Sequence, residues 1–150
     1  MVPERSRRVI LEIGCGTGRY LPQLLKPNHR VYAVDYDFDA VSTAEEFFDG
    51  NVFFTVARGE QLPFRNSIFD EVHCIDVLHW ASDVVAFETM WMEAWRVLKL
   101  GGIFFATLRT ESQDAKWFHA DRVLIEALVE KCNGEWLRRS DSILELKKRI

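Results

Sequence analysis

The amino-acid sequence predicts an α/β fold, a doubly wound and mostly parallel sheet with helices on both faces. Two observations predict it. Strand-like and helix-like stretches alternate five times, a pattern that specifies parallel strands joined by right-handed crossovers. The first strand-like run also breaks into three glycines at every second position, Gly14, Gly16 and Gly18. A strand that ends this way brings backbone N–H groups close to a ligand, because no Cβ stands between. The 150 residues, 48% hydrophobic and 28% charged, read as a single domain over 1–150. Its core is expected at about 8–110, with a helix and short strands over 111–150.

The elements follow in order. Residues 1–8, with Pro3 and the run Arg5-Ser-Arg-Arg8, read as a solvated lead-in. Val9-Ile-Leu-Glu-Ile13 is apolar and β-branched, as a buried parallel strand requires. Tyr20, Leu21, Leu24 and Leu25 have helical spacing within Arg19 to Lys26, and Pro22 falls in the first turn, where a missing N–H costs little. Arg30 to Asp35 is the second strand. Asp37 and Asp39 are N-cap candidates for a helix through Phe48, with Asp49-Gly50 as its stop. Asn51 to Ala57 is the third strand and Phe69 to Val77 the fourth, joined through the turn-rich Gln61 to Ser67. Asp83 caps a helix to about Lys99 whose stripe Phe87, Met90, Trp91, Ala94, Trp95 and Leu98 reads as core. Gly101-Gly102 is expected to end it, and Ile103 to Leu108 to form the fifth strand. A last helix covers about Asp121 to Lys131, with Gly134 placed to stop it. Glu135 to Ile150 is ambiguous, though Trp136-Leu137 and Ile143 to Leu146 each fit a short strand.

Charge and cysteine content exclude some functions. A net charge of −4 supplies no basic surface excess and argues against nucleic acid as a partner. Cys15, Cys74 and Cys132 lack metal or redox spacing and read as reduced thiols of a cytoplasmic protein. No His/Cys/carboxylate cluster at metal spacing is visible, so no metal is expected. No apolar run is long enough for a membrane span.

Glu12 followed by Gly14-Cys15-Gly16-Thr17-Gly18 resembles the cofactor loop of class I S-adenosylmethionine-dependent methyltransferases, of the small-molecule type found in ubiquinone and menaquinone biosynthesis. The dinucleotide fingerprint would place its third glycine at position 19, which is Arg here. Asp35, 17 residues past the last glycine, can accept both hydrogen bonds of a ribose diol; the plainer alternative is a surface Asp or N-cap. Its position resembles the family's ribose carboxylate, and Tyr36 the residue packed on the adenine. Ala57-Arg-Gly-Glu-Gln-Leu-Pro-Phe64 resembles the third cofactor segment, which brings Arg58, Gly59 and Glu60 to the adenine. Arg58 stands where an acceptor Asp is usual, and Arg cannot accept a hydrogen bond, so either the backbone at Gly59 and Glu60 reads the base or affinity is reduced. Phe69 to Trp80 resembles the fourth motif, which carries Ile75 and Asp76 toward the cofactor and offers His79 as general base. Methyl transfer from a sulfonium often needs only alignment, so His79 reads equally as structural.

The resemblance implies a Rossmann-like sheet, S-adenosylmethionine as cofactor with S-adenosylhomocysteine as product, and a small-molecule acceptor. Family members carry helices ahead of the glycine strand, an insertion after the fifth strand and a final antiparallel pair. This sequence is therefore expected to be truncated at the N-terminal lid, with the C-terminal pair left open. Either the site is open in the monomer or a partner subunit, a second copy included, completes it; Trp91, Trp117 and Phe118 are self-association candidates or simply core. A non-catalytic methyltransferase-like subunit and a nicotinamide-dependent oxidoreductase are the competing readings.

Overall fold

The computed structural model describes residues 7–109 and 117–150, so most of the expected lead-in lies outside the described residues. Seven strands form one open sheet: β1 (Arg8–Ile13), β2 (His29–Asp35), β3 (Val52–Val56), β4 (Phe69–Cys74), β5 (Leu98–Thr107), β6 (Gly134–Arg139) and β7 (Ile143–Lys148). Their order across the sheet is β3-β2-β1-β4-β5-β7-β6. The first five are parallel; β7 runs antiparallel to β5 and to β6. The C-terminal pair left open by the sequence is thus formed. The chain leaves β1 outward through β2 and β3, then returns to place β4 on the other side. That reversal opens a crevice at the carboxyl ends of β1 and β4.

Among the described residues four helices cover the two faces: α1 (Leu21–Leu24), α2 (Phe38–Phe48), α3 (Val84–Val97) and α4 (Arg122–Lys131). The pleat of β1 separates them, since Ile10 joins the cluster of Leu21, Leu24, Ala44 and Phe48 while Leu11 and Ile13 join that of Phe87, Trp91 and Leu128. Asp37, Asp83 and Asp121 cap α2, α3 and α4 with backbone-accepting carboxylates. None of the described helices is long and apolar enough to cross a membrane.

Three local expectations are corrected. The first helix is a single turn, Leu21–Leu24, because Thr17 to Tyr20 is spent on the turn out of the glycine loop. The third ends at Val97, and Gly101 and Gly102 lie within β5, where the register against β4 shifts. Long-range partners end that helix: Ser67 and Ile68 N–H donate to the Arg96 and Val97 carbonyls, and Lys148 Nζ donates to those of Trp95 and Leu98. After α4 it is Asn133 that takes the left-handed conformation, φ 53°, and Gly134 opens β6. Trp91 is fully buried against Phe104, and Phe118 stacks near Phe87, so both serve the core.

Candidate functional site

A cavity of about 370 Å³ lies at the crevice, within the size range of small-molecule sites. Gly14 and Gly16 come to its wall from the loop after β1, Asp35 and Tyr36 from the end of β2, Arg58, Gly59 and Glu60 from the loop after β3, and Asp76 from the loop after β4. Residues spread over some 60 positions meet there because parallel strands deliver all their carboxyl ends to one edge.

The glycine loop is built for close approach. Gly14 has φ +73°, and a Cβ on it would stand 2.2 Å from Val77 Cγ2, so the loop is pressed against the end of β4. Gly16 has φ +51° and open space where its Cβ would be, which leaves a bare backbone surface for a ligand. Gly18 is different: its Cβ would meet Phe48 Cε2 at 2.4 Å, so that glycine serves helix packing. One expectation is corrected here. The N–H groups of Gly14 and Cys15 donate to the Val34 carbonyl, that of Gly16 to Asp35 Oδ2 at 2.8 Å, and that of Gly18 to the Cys15 carbonyl. The loop therefore offers shape rather than an amide nest, and this counts against the pyrophosphate of a dinucleotide.

Asp35 Oδ2 holds Gly16 N–H and Oδ1 holds Asp37 N–H at 3.0 Å. Each oxygen keeps a further lone pair toward the cavity. Asp76 sits in the left-handed region, φ 56°, pinned from three sides. Its Oδ2 accepts from the Tyr20 hydroxyl at 2.9 Å, Thr107 Oγ1 donates to its Oδ1, and its N–H donates to Thr107 Oγ1. Arg58 lines the cavity beside Glu60, 3.7 Å away, with its side chain largely exposed. Asp35, Asp37, Glu60 and Asp76 make the wall predominantly acidic, suited to a cationic ligand.

Five residues singled out in the sequence do not line the cavity. Gly18 and Cys15 are buried behind the loop, where burial pushes the Cys15 thiol up to about 12. Ile75 is half-buried beyond β4. Glu12 is 1% exposed, and neither carboxylate oxygen has a hydrogen-bond partner. Burial and, secondarily, the charge of Asp35 raise its pKa to about 8, so it carries its proton near neutrality. His79 is 2% exposed in the 3₁₀ turn Leu78–Trp80, and burial, reinforced by the charge of Arg109, lowers its pKa.

Sequence reasoning missed Val77, Trp80 and Met90 on the wall, and it missed Arg96 behind it. The Arg96 guanidinium bonds both oxygens of Glu93, the Leu62 and Phe64 carbonyls and Asn66 Oδ1, while Glu93 accepts from Leu62 N–H. This fork clamps the 62–66 connection that follows Gly59 and Glu60. The helical stripe around Trp95 gives no local signal of it, because all the loop partners lie about 30 residues upstream.

The family profile described as a methyltransferase domain matches residues 11–106, from within β1 to within β5 and including the glycine loop. The chain belongs to the class I S-adenosylmethionine-dependent methyltransferases. The chain is 33% identical over 115 residues to the biotin biosynthesis bifunctional protein BioHC of Saccharophagus degradans, covering 71% of the chain and 19% of that protein. It is 28% identical over 130 residues to a malonyl-[acyl-carrier protein] O-methyltransferase of a Marinomonas species, covering 81% of the chain and 47% of the relative. The chain thus spans less than half the length of either. The N-methyltransferase NodS of Bradyrhizobium japonicum, solved with S-adenosylhomocysteine, shares the fold at a TM-score of 0.80 and 16% identity, over 95% of this chain and 79% of NodS.

Proposed function

We propose that this chain binds S-adenosylmethionine in the crevice cavity and transfers its methyl group to a small-molecule acceptor by in-line displacement, chiefly through alignment. The observation that carries the reading is the acidic wall around a bare glycine backbone whose amides are already bonded inward. A cationic nucleoside ligand gains from that wall, and a pyrophosphate does not.

The residues fit the cofactor. The free lone pairs of Asp35 suit the ribose hydroxyls, and Gly16 gives the room for them to approach. Arg58 cannot accept a hydrogen bond, so the backbone of Gly59 and Glu60 reads the adenine edge, over a floor of Ile13 and Met90. Asp76, held rigid by Tyr20 and Thr107, faces the ammonium end. When bound, the sulfonium supplies an electrophilic methyl carbon with a neutral thioether as leaving group. His79 is neutral at neutral pH but stands behind the wall, where it supports the turn that carries Trp80. Rate then comes from holding the two reactants in line, an effect that reaches about 7–11 kcal/mol in well-oriented systems. Three free thiols support the cytoplasm as its compartment.

Isothermal titration with S-adenosylmethionine, S-adenosylhomocysteine and NADH tests the reading. Micromolar binding of the first two and none of the third is expected. Binding of NADH alone, or of none, refutes it.

A further inference from the structure

The sheet has two edges, and only one of them is blunted. β6 at one edge carries Glu135, Arg138 and Arg139, and its register against β7 shifts between Trp136 and Arg138. Charges and irregularities of this kind keep an edge strand from pairing with another chain. β3 at the other edge has neither. Val52-Phe-Phe-Thr-Val56 includes no charge and no proline, and it holds an unbroken register against β2. Along it Phe53 is 48% exposed, Val56 45%, and Phe47 of α2 beside it 78%.

The backbone of that edge is open among the described residues. In a parallel pair, alternate residues turn both backbone groups to the neighbouring strand. Ala57 N–H donates to the Asp35 carbonyl, which sets the alternation: Phe53 and Thr55 face β2, while Val52, Phe54 and Val56 turn N–H and C=O outward. β3 ends the strand order, so no described strand takes those groups. On the α2 face Phe54 lies 6.2 Å from Phe48, which in turn meets Phe47 edge to face at 5.1 Å. On the opposite face Phe53 stacks on Tyr32 at 4.9 Å.

Two features select the partner. The outward groups are symmetric about Phe54. With a second β3 laid antiparallel and Phe54 on the twofold axis, Val52 exchanges both bonds with the partner's Val56, and Phe54 with the partner's Phe54. The flanking charges also change sign along the strand. Exposed Glu45, Glu46 and Asp49 precede it, and exposed Arg58, with Glu60 3.7 Å away, follows it. Antiparallel pairing carries the Arg58 of each copy to the acidic end of the other, whereas parallel pairing would set like charges together.

We propose that the protein is a twofold dimer in which the two β3 strands pair antiparallel and join the sheets into one. Phe54 then meets its own copy across the axis, with Val56 and Phe47 beside it, and Phe53 packs against the partner's Thr55. The pairing consumes the bare edge of each copy and leaves the blunted β6 at both ends, so assembly stops at two. It also holds the segment after β3, which brings Arg58, Gly59 and Glu60 to the cavity wall.

Sedimentation velocity of the purified chain from about 1 to 100 µM reads the mass. A two-copy species is expected; a monomer throughout, or growth beyond two copies, overturns the proposal. Amide exchange, read residue by residue by mass spectrometry, locates the interface. The Val52, Phe54 and Val56 amides are expected to exchange at least tenfold more slowly in the dimer than at the dilute end. Unchanged exchange there overturns the proposal by moving the interface elsewhere. Val56→Pro removes an outward N–H and no bond to β2, and it should weaken the dimer at least tenfold, whereas Val56→Thr keeps the N–H and should stay within threefold. A dimer as tight in Val56→Pro as in wild type overturns the proposal; should that variant not fold, the exchange measurement decides. Arg58→Asp sets like charges together at both ends and should weaken the dimer at least threefold. No weakening overturns the antiparallel register.

Discussion

Replacing Glu12 by Gln should remove most of a pH dependence of stability that one side chain imposes. Glu12 points from β1 into the sheet interior with neither oxygen hydrogen-bonded. Around it stand the charge of Asp35 on β2, the thiols of Cys15 in the loop and Cys74 on β4, and His73 as its register partner on β4. No cation is among the causes of its shift, and its pKa rises from 4.5 to about 8. Between those values the unfolded chain is ionised while the folded one keeps the proton, so the unfolded state binds fewer protons. Stability must therefore fall as pH rises through that window. At about 1.4 kcal/mol per pH unit, the wild type loses about 3–4 kcal/mol between pH 5 and pH 8 through this group. Gln has the same shape and nothing to ionise. Urea unfolding of both proteins at pH 5, 6.5 and 8 measures the difference, with other titrating groups cancelling in the comparison. The variant should gain on wild type by about 3–4 kcal/mol across the range. Parallel profiles would show that Glu12 is solvated or paired in solution and would refute the reasoning.

Four further outcomes follow from the structure. Gly18→Ala adds a Cβ 2.4 Å from Phe48 at φ +93° and should cost about 2–5 kcal/mol in urea unfolding. Gly16→Ala, two residues away in open space, should cost about 1 kcal/mol in stability yet weaken S-adenosylhomocysteine at least tenfold, read by calorimetry. Asp35→Ala removes the acceptor of Gly16 N–H and the ribose partner together, and a cofactor affinity equal to wild type would sink that assignment. Arg96→Lys cannot reproduce a fork that holds Glu93, Leu62, Phe64 and Asn66, and should cost about 1.5–3 kcal/mol while weakening the adenine side of the site. Unchanged midpoint and affinity in that variant would show that the 62–66 connection holds its shape without the clamp.

The sequence by itself determined the order of the first five strands and of the helices, the parallel core of the sheet, the glycine loop and the position of Asp35. These are local properties: periodicity within a dozen residues, Asp caps within four, and glycine spacing within five. At two of the departures, a partner distant in the chain overrules a local signal. Gly101-Gly102 looked like a helix stop, but Ser67, Ile68 and Lys148 had already taken the carbonyls of α3, and the backbone extended early into β5. The glycine-loop amides looked available to a ligand until Val34 and Asp35, across the sheet, accepted them. Only tertiary structure joined Tyr20 to Asp76, 56 residues apart, and laid Arg109 over Trp117. Only tertiary structure closed Glu12 and His79 away from the cavity they adjoin in sequence. Residue type and spacing state what chemistry a side chain can perform, whereas its burial and partners depend on elements that meet only once the sheet is assembled.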